Sequence, residues 1–226
     1  MKIIDVKNLG TGKVFQWTRE YLFEFLTKSR NAPLYTPTVM AAFQHLDRRD
    51  FIPNEIKDKA YEDIELEIGH NEHFTRPSTL AQVAELIKPK AGGSYLDIGT
   101  GTGYFAMILG FVAGSSGKVV TIERIQWLWE LARVNSTKYK DINNVTFLYR
   151  NGIEGLPQQA PYDGIHISFA IEEPSDTLKM QLNPNGGIMV YPTTDNEIKV
   201  IERMGDDYTE EIIPGFVFSE GKAGIA

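Results

Sequence analysis

The run Ser-Tyr-Leu-Asp-Ile-Gly-Thr-Gly-Thr-Gly-Tyr-Phe-Ala over residues 94–106 restricts this chain more than any other stretch of it. Apolar Tyr95, Leu96 and Ile98 lead into Gly99, Gly101 and Gly103 and then into an apolar helical pattern, so the segment reads strand, tight turn, helix. Glycine belongs in such a turn because the backbone there takes conformations that a side chain forbids and approaches a ligand closely. Val-Val-Thr-Ile-Glu then ends at Glu123. An acidic residue about 20 positions past the loop, at the end of a second strand, is placed to hydrogen-bond the ribose hydroxyls of an adenosine.

The flanking sequence continues the pattern. Short strand candidates at 95–98, Lys118–Glu123, Val145–Tyr149, 164–169 and 188–191 are mostly β-branched or aromatic. Helical candidates at Tyr104–Ala113, 126–139 and 175–182 lie between them, the last with Ser175 as its N-cap. Alternation at this pitch predicts a parallel sheet with helices on both faces and a ligand site at the carboxyl ends of the strands. After Pro192 the pattern changes to two strand-like runs, 197–203 and 210–218, joined by Met-Gly-Asp-Asp. Before residue 90 the chain reads as helical at 18–29, 36–46 and 78–88, with loop or short strand over 61–77. The expected fold is therefore α/β: a doubly wound, seven-stranded Rossmann-like sheet with a C-terminal antiparallel hairpin and a helical N-terminal segment. One domain is expected, with residues 1–76 carrying helices and a site loop and residues 77–226 carrying the nucleotide core.

Composition removes several function classes. A net charge of -7 opposes general binding to a phosphate backbone, so no nucleic-acid partner is expected. The absence of cysteine excludes disulfides, thiolate catalysis and Cys-type zinc sites. His70 and His73 have no third histidine nearby, and no metal site is expected. Residues 1–10 lack the apolar core of a secretory signal, and the greasiest stretch, 105–113, is too short to span a bilayer. A soluble cytoplasmic protein is the expectation, its oligomeric state open.

The spacing around the loop narrows the nucleotide. Gly-x-Gly-x-Gly differs from the Gly-x-Gly-x-x-Gly of pyrophosphate binders, and Asp97, just before the first glycine, suits a ligand with a cationic amino-acid end. The third strand runs into Arg150-Asn151-Gly152, where an amide and a backbone N–H can address an adenine edge. Asp97 as a mere helix cap and Glu123 as a solvated partner of Arg124 are the plainer readings of each acid alone. Taken together, the features favour S-adenosylmethionine.

The same residues resemble the protein-L-isoaspartate O-methyltransferase family over roughly two-thirds of the chain, from Val39 to Pro192. Asp47-Arg48-Arg49-Asp50-Phe51-Ile52-Pro53 is similar to the family's Arg-x-x-Phe-Val-Pro, and Ala60-Tyr61-Glu62-Asp63 to its Ala-Tyr-x-Asp. Residues 68–77 stand where the family carries a loop closing in Thr-Ile-Ser-x-Pro. Leu-Asp-Ile-Gly-Thr-Gly-Thr-Gly-Tyr, Thr121-Ile122-Glu123-Arg124 and Pro161-Tyr162-Asp163-Gly164-Ile165-His166 follow in the family's order. The resemblance implies methyl transfer from S-adenosylmethionine to the α-carboxylate of isoaspartyl residues in damaged proteins or peptides. It also implies a cofactor set of His73, Phe74, Thr75, Asp97, Gly99, Thr100, Gly101, Gly103, Glu123, Arg124, Asn151 and Gly152, with Thr75 orienting the acceptor.

The chain departs from that pattern in places. Thr75 replaces the loop serine, His73 its threonine, and Asn151 the usual aspartate. Thr75 keeps a hydroxyl but stiffens χ1; it stands equally well as a cap for the helix opening at Pro77. His166 and the pair Trp127 and Trp129 read as packing residues, and His45 as a helix-face residue. The altered loop leaves open a methyltransferase with another acceptor (a specialised peptide aspartate, a small molecule or RNA) and a non-catalytic cofactor-binding adaptor.

Overall fold

The computed structural model describes residues 16–216. The reading of residues 1–10 and the last two residues of the strand expected over 210–218 lie outside the described residues. In chain order the elements are α1 (Arg19–Lys28), α2 (Pro37–His45), β1 (Leu66–Gly69), β2 (Glu72–Phe74), α3 (Pro77–Leu86), β3 (Ser94–Ile98), α4 (Tyr104–Ala113), β4 (Lys118–Glu123) and α5 (Gln126–Ser136). There follow β5 (Val145–Tyr149), β6 (Gly164–Ile167), α6 (Asp176–Lys179), β7 (Asn185–Pro192), β8 (Glu197–Met204) and β9 (Asp207–Pro214).

The main sheet has seven strands in the order β5-β4-β3-β6-β7-β8-β9. The first five run parallel, and β8 and β9 pair antiparallel at one edge. From β3 the chain first builds outward to β4 and β5, then returns to lay β6 on β3's other side. The direction of winding therefore reverses between β3 and β6, which opens a crevice at their carboxyl ends. Gly99 and Ser168 stand at its two lips.

Alternation along the strands sorts the core into two layers. Tyr95, Val119, Ile188 and Val190 face a large cluster shared with Leu22, Val39, Leu80, Met107 and Leu128 of the helices. Leu96, Ile98, Val120, Ile165 and Tyr191 face a smaller one closed by Leu156, Leu178 and Leu182. Helical cover is thus uneven: α1 to α5 contribute to the first layer, while the second has the short α6 and a 3-10 turn at Pro157–Gln159.

Most elements start where side chains direct them to. Thr18 caps α1 by accepting from the N–H of Tyr21 at 3.2 Å, and Ser175 caps α6 by accepting from that of Leu178. Pro37 and Pro77 occupy the first positions of α2 and α3. Trp17, Phe23 and Phe25 are partly buried against the core, while Tyr21 on the same stretch is exposed.

Several boundaries differ from the sequence reading: β6 ends at Ile167 where 164–169 was expected, and β7 runs Asn185–Pro192 where 188–191 was expected. The helix expected over 175–182 is α-helical only to Lys179, because Gln181 turns its amide back to the N–H of Leu156 and the carbonyls of Glu154 and Thr177. Helix α5 stops at Ser136 and tightens into 3-10 bonds that carry it to Tyr139. The final hairpin turns on two residues, Gly205 and Asp206, with Gly205 at φ 64°, so β9 begins at Asp207. The stretch left open as loop or short strand contains the hairpin of β1 and β2. His70 and Asn71 form its turn with φ of 56° and 57°, the two left-handed positions a type I′ connection demands.

Candidate active site

The crevice at the switch point is lined by the loop after β3, the ends of β4 and β6, and the strand β2 arriving from the N-terminal segment. Its empty space, counting the open mouth, is about 1110 Å³. Among the expected residues, His73, Phe74, Thr75, Gly99, Thr100, Gly101, Glu123, Arg124, Asn151 and Gly152 all line it. Asp97 and Gly103 do not.

The glycines serve different needs. Gly99 has φ 94°, and a Cβ there would collide with the hydroxyl of Ser168 across the crevice. Gly101 has φ 55° with nothing within 4 Å of where its Cβ would be, so the loop is open above it. Gly103, outside the crevice, lets the first turn of α4 approach α5, where its Cβ would sit 3.1 Å from that of Ala132. The loop's fold is fixed by backbone: the N–H groups of Gly99 and Thr100 both donate to the carbonyl of Ile122, at 2.9 and 3.1 Å. From α5, Asn135 donates its amide to the carbonyl of Thr102.

Glu123 ends β4 4% exposed. One carboxylate oxygen accepts from the N–H of Gly101 at 2.8 Å; the other accepts from those of Arg124 and Ile125. It therefore holds the glycine loop as well as facing the crevice. Burial pushes its pKa up; the N–H groups of Ile125, Gly101 and Arg124 oppose this, and nearby Glu72 adds to it. Beside it, Gly152 leaves no room for a side chain, since a Cβ would meet Ile98 Cγ2 at 2.9 Å and Ile122 Cγ2 at 3.0 Å. Asn151 accepts the N–H of Ile153 on its side-chain oxygen at 3.1 Å and lines the crevice, with its amide nitrogen unpaired among the described residues.

Asp97 is placed differently from the sequence expectation. It is 1% exposed, and both carboxylate oxygens are engaged within the sheet. One accepts the Thr121 hydroxyl at 2.7 Å, and the other meets His166 Nδ1 at 2.8 Å. The cause is register: Thr121 and His166 are its direct neighbours on β4 and β6. His166 is buried as read, 5% exposed and packed against Phe105, and its ring also lines the crevice with Ser168 and Phe169. Trp127 also differs from its packing expectation: 40% exposed, it lies against the β1–β2 hairpin with its ring 5.4 Å from that of His70. Trp129 donates to the carbonyl of Phe147, and His45 pairs with Asp141 at 2.8 Å.

Strand β2 delivers Phe74 and Thr75 to the crevice. Thr75 also lines a second cavity, whose walls include Phe25, Ser29, Asn31, Arg76, Gln82 and Phe216. It does not cap α3: the N-cap is Arg76, and the N–H of Ser78 is taken by Asp63 at 2.8 Å. The Thr75 hydroxyl has no hydrogen-bond partner among the described residues. Behind Phe74 stands Arg48, 3% exposed, with its guanidinium carbon 3.9 Å from the ring centroid and none of its three nitrogens hydrogen-bonded. Burial draws its pKa down to about 10, against the pull of Tyr104 and Asp63. Neither Arg48 nor Ser168 announces a role by residue type; only the fold brings them to the site.

Comparison with known proteins follows the same geometry. The family described as Protein-L-isoaspartate(D-aspartate) O-methyltransferase (PCMT) matches residues 18–214. The chain belongs to this family. It is 34% identical over 197 residues to a protein-L-isoaspartate O-methyltransferase of Methanopyrus kandleri, covering 86% of each chain. It is 38% identical over 154 residues to one of Methanococcoides burtonii, covering 68% of this chain and 75% of that one. Among solved structures, a protein-L-isoaspartate O-methyltransferase superposes with TM-score 0.79 at 26% identity, over 91% of this chain and 66% of the other. A Plasmodium falciparum protein described as a β-aspartate methyltransferase, in complex with S-adenosyl-L-homocysteine, shares the fold with TM-score 0.77 at 19% identity, over 92% and 99%. For this member of the isoaspartate methyltransferase family, the matched span includes every residue named above that lines the glycine-loop crevice. No helix of the described residues is long and apolar enough to cross a membrane.

Proposed function

We propose that this chain is an S-adenosylmethionine-dependent carboxyl O-methyltransferase that acts on L-isoaspartyl residues of damaged proteins and peptides. The observation that carries the reading is Thr75. Its hydroxyl is unpaired among the described residues, and it stands at the junction of the glycine-lined crevice and the second, polar cavity. One cavity suits a cofactor and the other a peptide; the threonine is common to both.

The crevice fits an adenosyl amino acid. Space above Gly101, a floor at Gly152 too close for any side chain, and Glu123 at the end of β4 suit an adenosine. When bound, S-adenosylmethionine supplies an electrophilic methyl group on a sulfonium. Glu123 accepts ribose hydroxyls with the lone pairs that Gly101, Arg124 and Ile125 leave free. Asn151 and the N–H of Gly152 address the base, and His73, Phe74, Thr100 and Arg124 close the walls.

Little acid–base chemistry is required. A carboxylate with a pKa near 4 is already a nucleophile at neutral pH, so the protein's task is alignment and exclusion of water. Thr75 donates its hydroxyl to one acceptor oxygen and points the other at the methyl group. Phe74, backed by the Arg48 guanidinium, keeps the junction dry. Transfer releases the thioether product; the following backbone nitrogen then attacks the peptide methyl ester, expelling methanol, and water reopens the resulting succinimide partly as aspartate.

The experiment is conversion. An isoaspartyl peptide incubated with the protein and S-adenosylmethionine is expected to yield its aspartyl isomer on chromatographic mapping, and no change in the isoaspartyl content would refute the reading. A second reading, the same transfer to a different acceptor, draws on Thr75 and His73 standing where the family's loop has serine and threonine. Cofactor turnover with other carboxylates and none with the isoaspartyl peptide would favour it.

A further inference from the structure

Asp97 and His166 form a buried pair whose purpose the packing does not explain. They are register neighbours on β3 and β6, 1% and 5% exposed, with Nδ1 2.8 Å from the carboxylate. The second oxygen of Asp97 accepts from Thr121, whose hydroxyl oxygen lies 2.6 Å from that of Thr100 in the glycine loop. Because Thr121 donates to Asp97, Thr100 must be the donor in that contact. No Lys or Arg pairs with Asp97 among the described residues, so with the imidazole neutral this chain of polar groups carries a net negative charge. A buried charge of that kind is costly unless a counter-ion completes it.

The tautomer follows from the carboxylate. An ionised Asp97 only accepts, so Nδ1 carries a proton, and in the neutral imidazole Nε2 then presents a lone pair. That nitrogen has no partner among the described residues, although the ring lines the crevice and is held by Phe105 at 4.4 Å between centroids. The site thus offers an acceptor backed by a buried anion. Its natural complement is a small cation with N–H groups.

We propose that His166 Nε2 receives the α-ammonium group of the cofactor's amino-acid end, with Asp97 acting through the imidazole and not by direct contact. This rests on the cofactor reading above. It gives the acid before the first glycine its expected electrostatic task, relayed one residue farther into the crevice.

Calorimetric binding of two ligands to the full chain tests it: S-adenosylhomocysteine, which has the α-ammonium group and no sulfonium, and methylthioadenosine, which lacks the amino-acid end. His166→Phe is expected to weaken S-adenosylhomocysteine by about 10- to 100-fold, the range of a charged hydrogen bond. Methylthioadenosine is expected to lose less than about threefold, since none of its atoms reach that bond. Asp97→Asn is expected to give the same selective loss, and His166→Gln, which keeps an acceptor oxygen, to recover most of the affinity. Thermal unfolding of each variant establishes that it is folded. Equal losses for both ligands, or an undiminished affinity of S-adenosylhomocysteine for folded His166→Phe and Asp97→Asn, would overturn the proposal. Wild-type protein that binds neither ligand would instead overturn the cofactor reading beneath it.

Discussion

Thr75 carries the acceptor chemistry in this account, and its surroundings leave it free to do so. Asp63 supplies the bond to the start of α3 that a capping threonine would have made. Thr75→Ala is therefore expected to lower kcat by about 10- to 100-fold, the cost of one charge-assisted hydrogen bond, with S-adenosylhomocysteine affinity unchanged. Thr75→Ser should retain activity. A steady-state comparison with calorimetry separates the two parameters, and an equal fall in both would assign Thr75 to cofactor binding alone.

Glu123 gives the residue scale a pH dependence with two opposite signs. Its pKa is raised by burial in the folded chain. The stability it contributes as an acid is present below its unfolded value and is lost as pH rises through the folded value. Cofactor binding needs the carboxylate as an acceptor, so affinity moves the other way. S-adenosylhomocysteine titrations are expected to weaken as pH falls through a value above the ordinary range for glutamate, and Glu123→Gln to flatten that acid limb while lowering affinity at neutral pH. A wild-type limb that survives unchanged in the variant would assign it to another group.

The cradle of Gly99, Gly101 and Glu123 was legible in the sequence because backbone demand selects glycine and strand ends select acids at fixed spacing. Asp97 was legible as an acid but not in its partner. Its neighbours Thr121 and His166 are 24 and 69 positions away in sequence, and only strand register brings them to it. Arg48 was read as part of a family motif, with no sign that its charge would be buried against Phe74.

Among elements, the β1–β2 hairpin is the one that matters most to the site. Its alternation is too short to separate from loop, and its turn uses His70 and Asn71 where glycine would have advertised it. It holds Phe74 between Tyr104, ring centroids 5.7 Å apart, and the Arg48 guanidinium. A cation over an aromatic face is worth about 2 kcal/mol when desolvated, yet a buried charge without a carboxylate partner costs several. Arg48→Met should therefore leave unfolding free energy unchanged or raise it by about 1–4 kcal/mol, while impairing turnover through a loosened Phe74. Chemical denaturation beside kinetics checks this; a strong loss of stability would mean that Arg48 is a structural keystone. Strands β3, β4 and β5, by contrast, were readable almost to the residue, because buried strands are short, branched and bounded by turns, whereas β7 begins three residues earlier than its apolar run, at Asn185. The length of α6 was not readable, since Gln181 ends it by a side-chain route.

For the whole molecule, the crevice depends on elements far apart in sequence, from β2 to the end of β6. A ligand that bridges them should stabilise the fold as a unit. At a hundredfold excess over its Kd, S-adenosylhomocysteine is expected to add about 2.7 kcal/mol to unfolding, read as an upward shift in Tm, and Gly99→Ala to abolish that shift because its Cβ would collide with Ser168. The sheet order was inferable only in class: alternation predicts a switch point, but the return of β6 to β3 is a fact of topology.

The central claim is that Thr75 joins a cofactor crevice to a peptide cavity, so that a methyl group passes to an isoaspartyl carboxylate. Transfer of label from methyl-labelled S-adenosylmethionine to an isoaspartyl peptide and to its aspartyl twin measures this directly. The account predicts base-labile label on the isoaspartyl peptide alone, strongly reduced in Thr75→Ala. Label on both peptides alike, or on neither while the cofactor is bound, would contradict it.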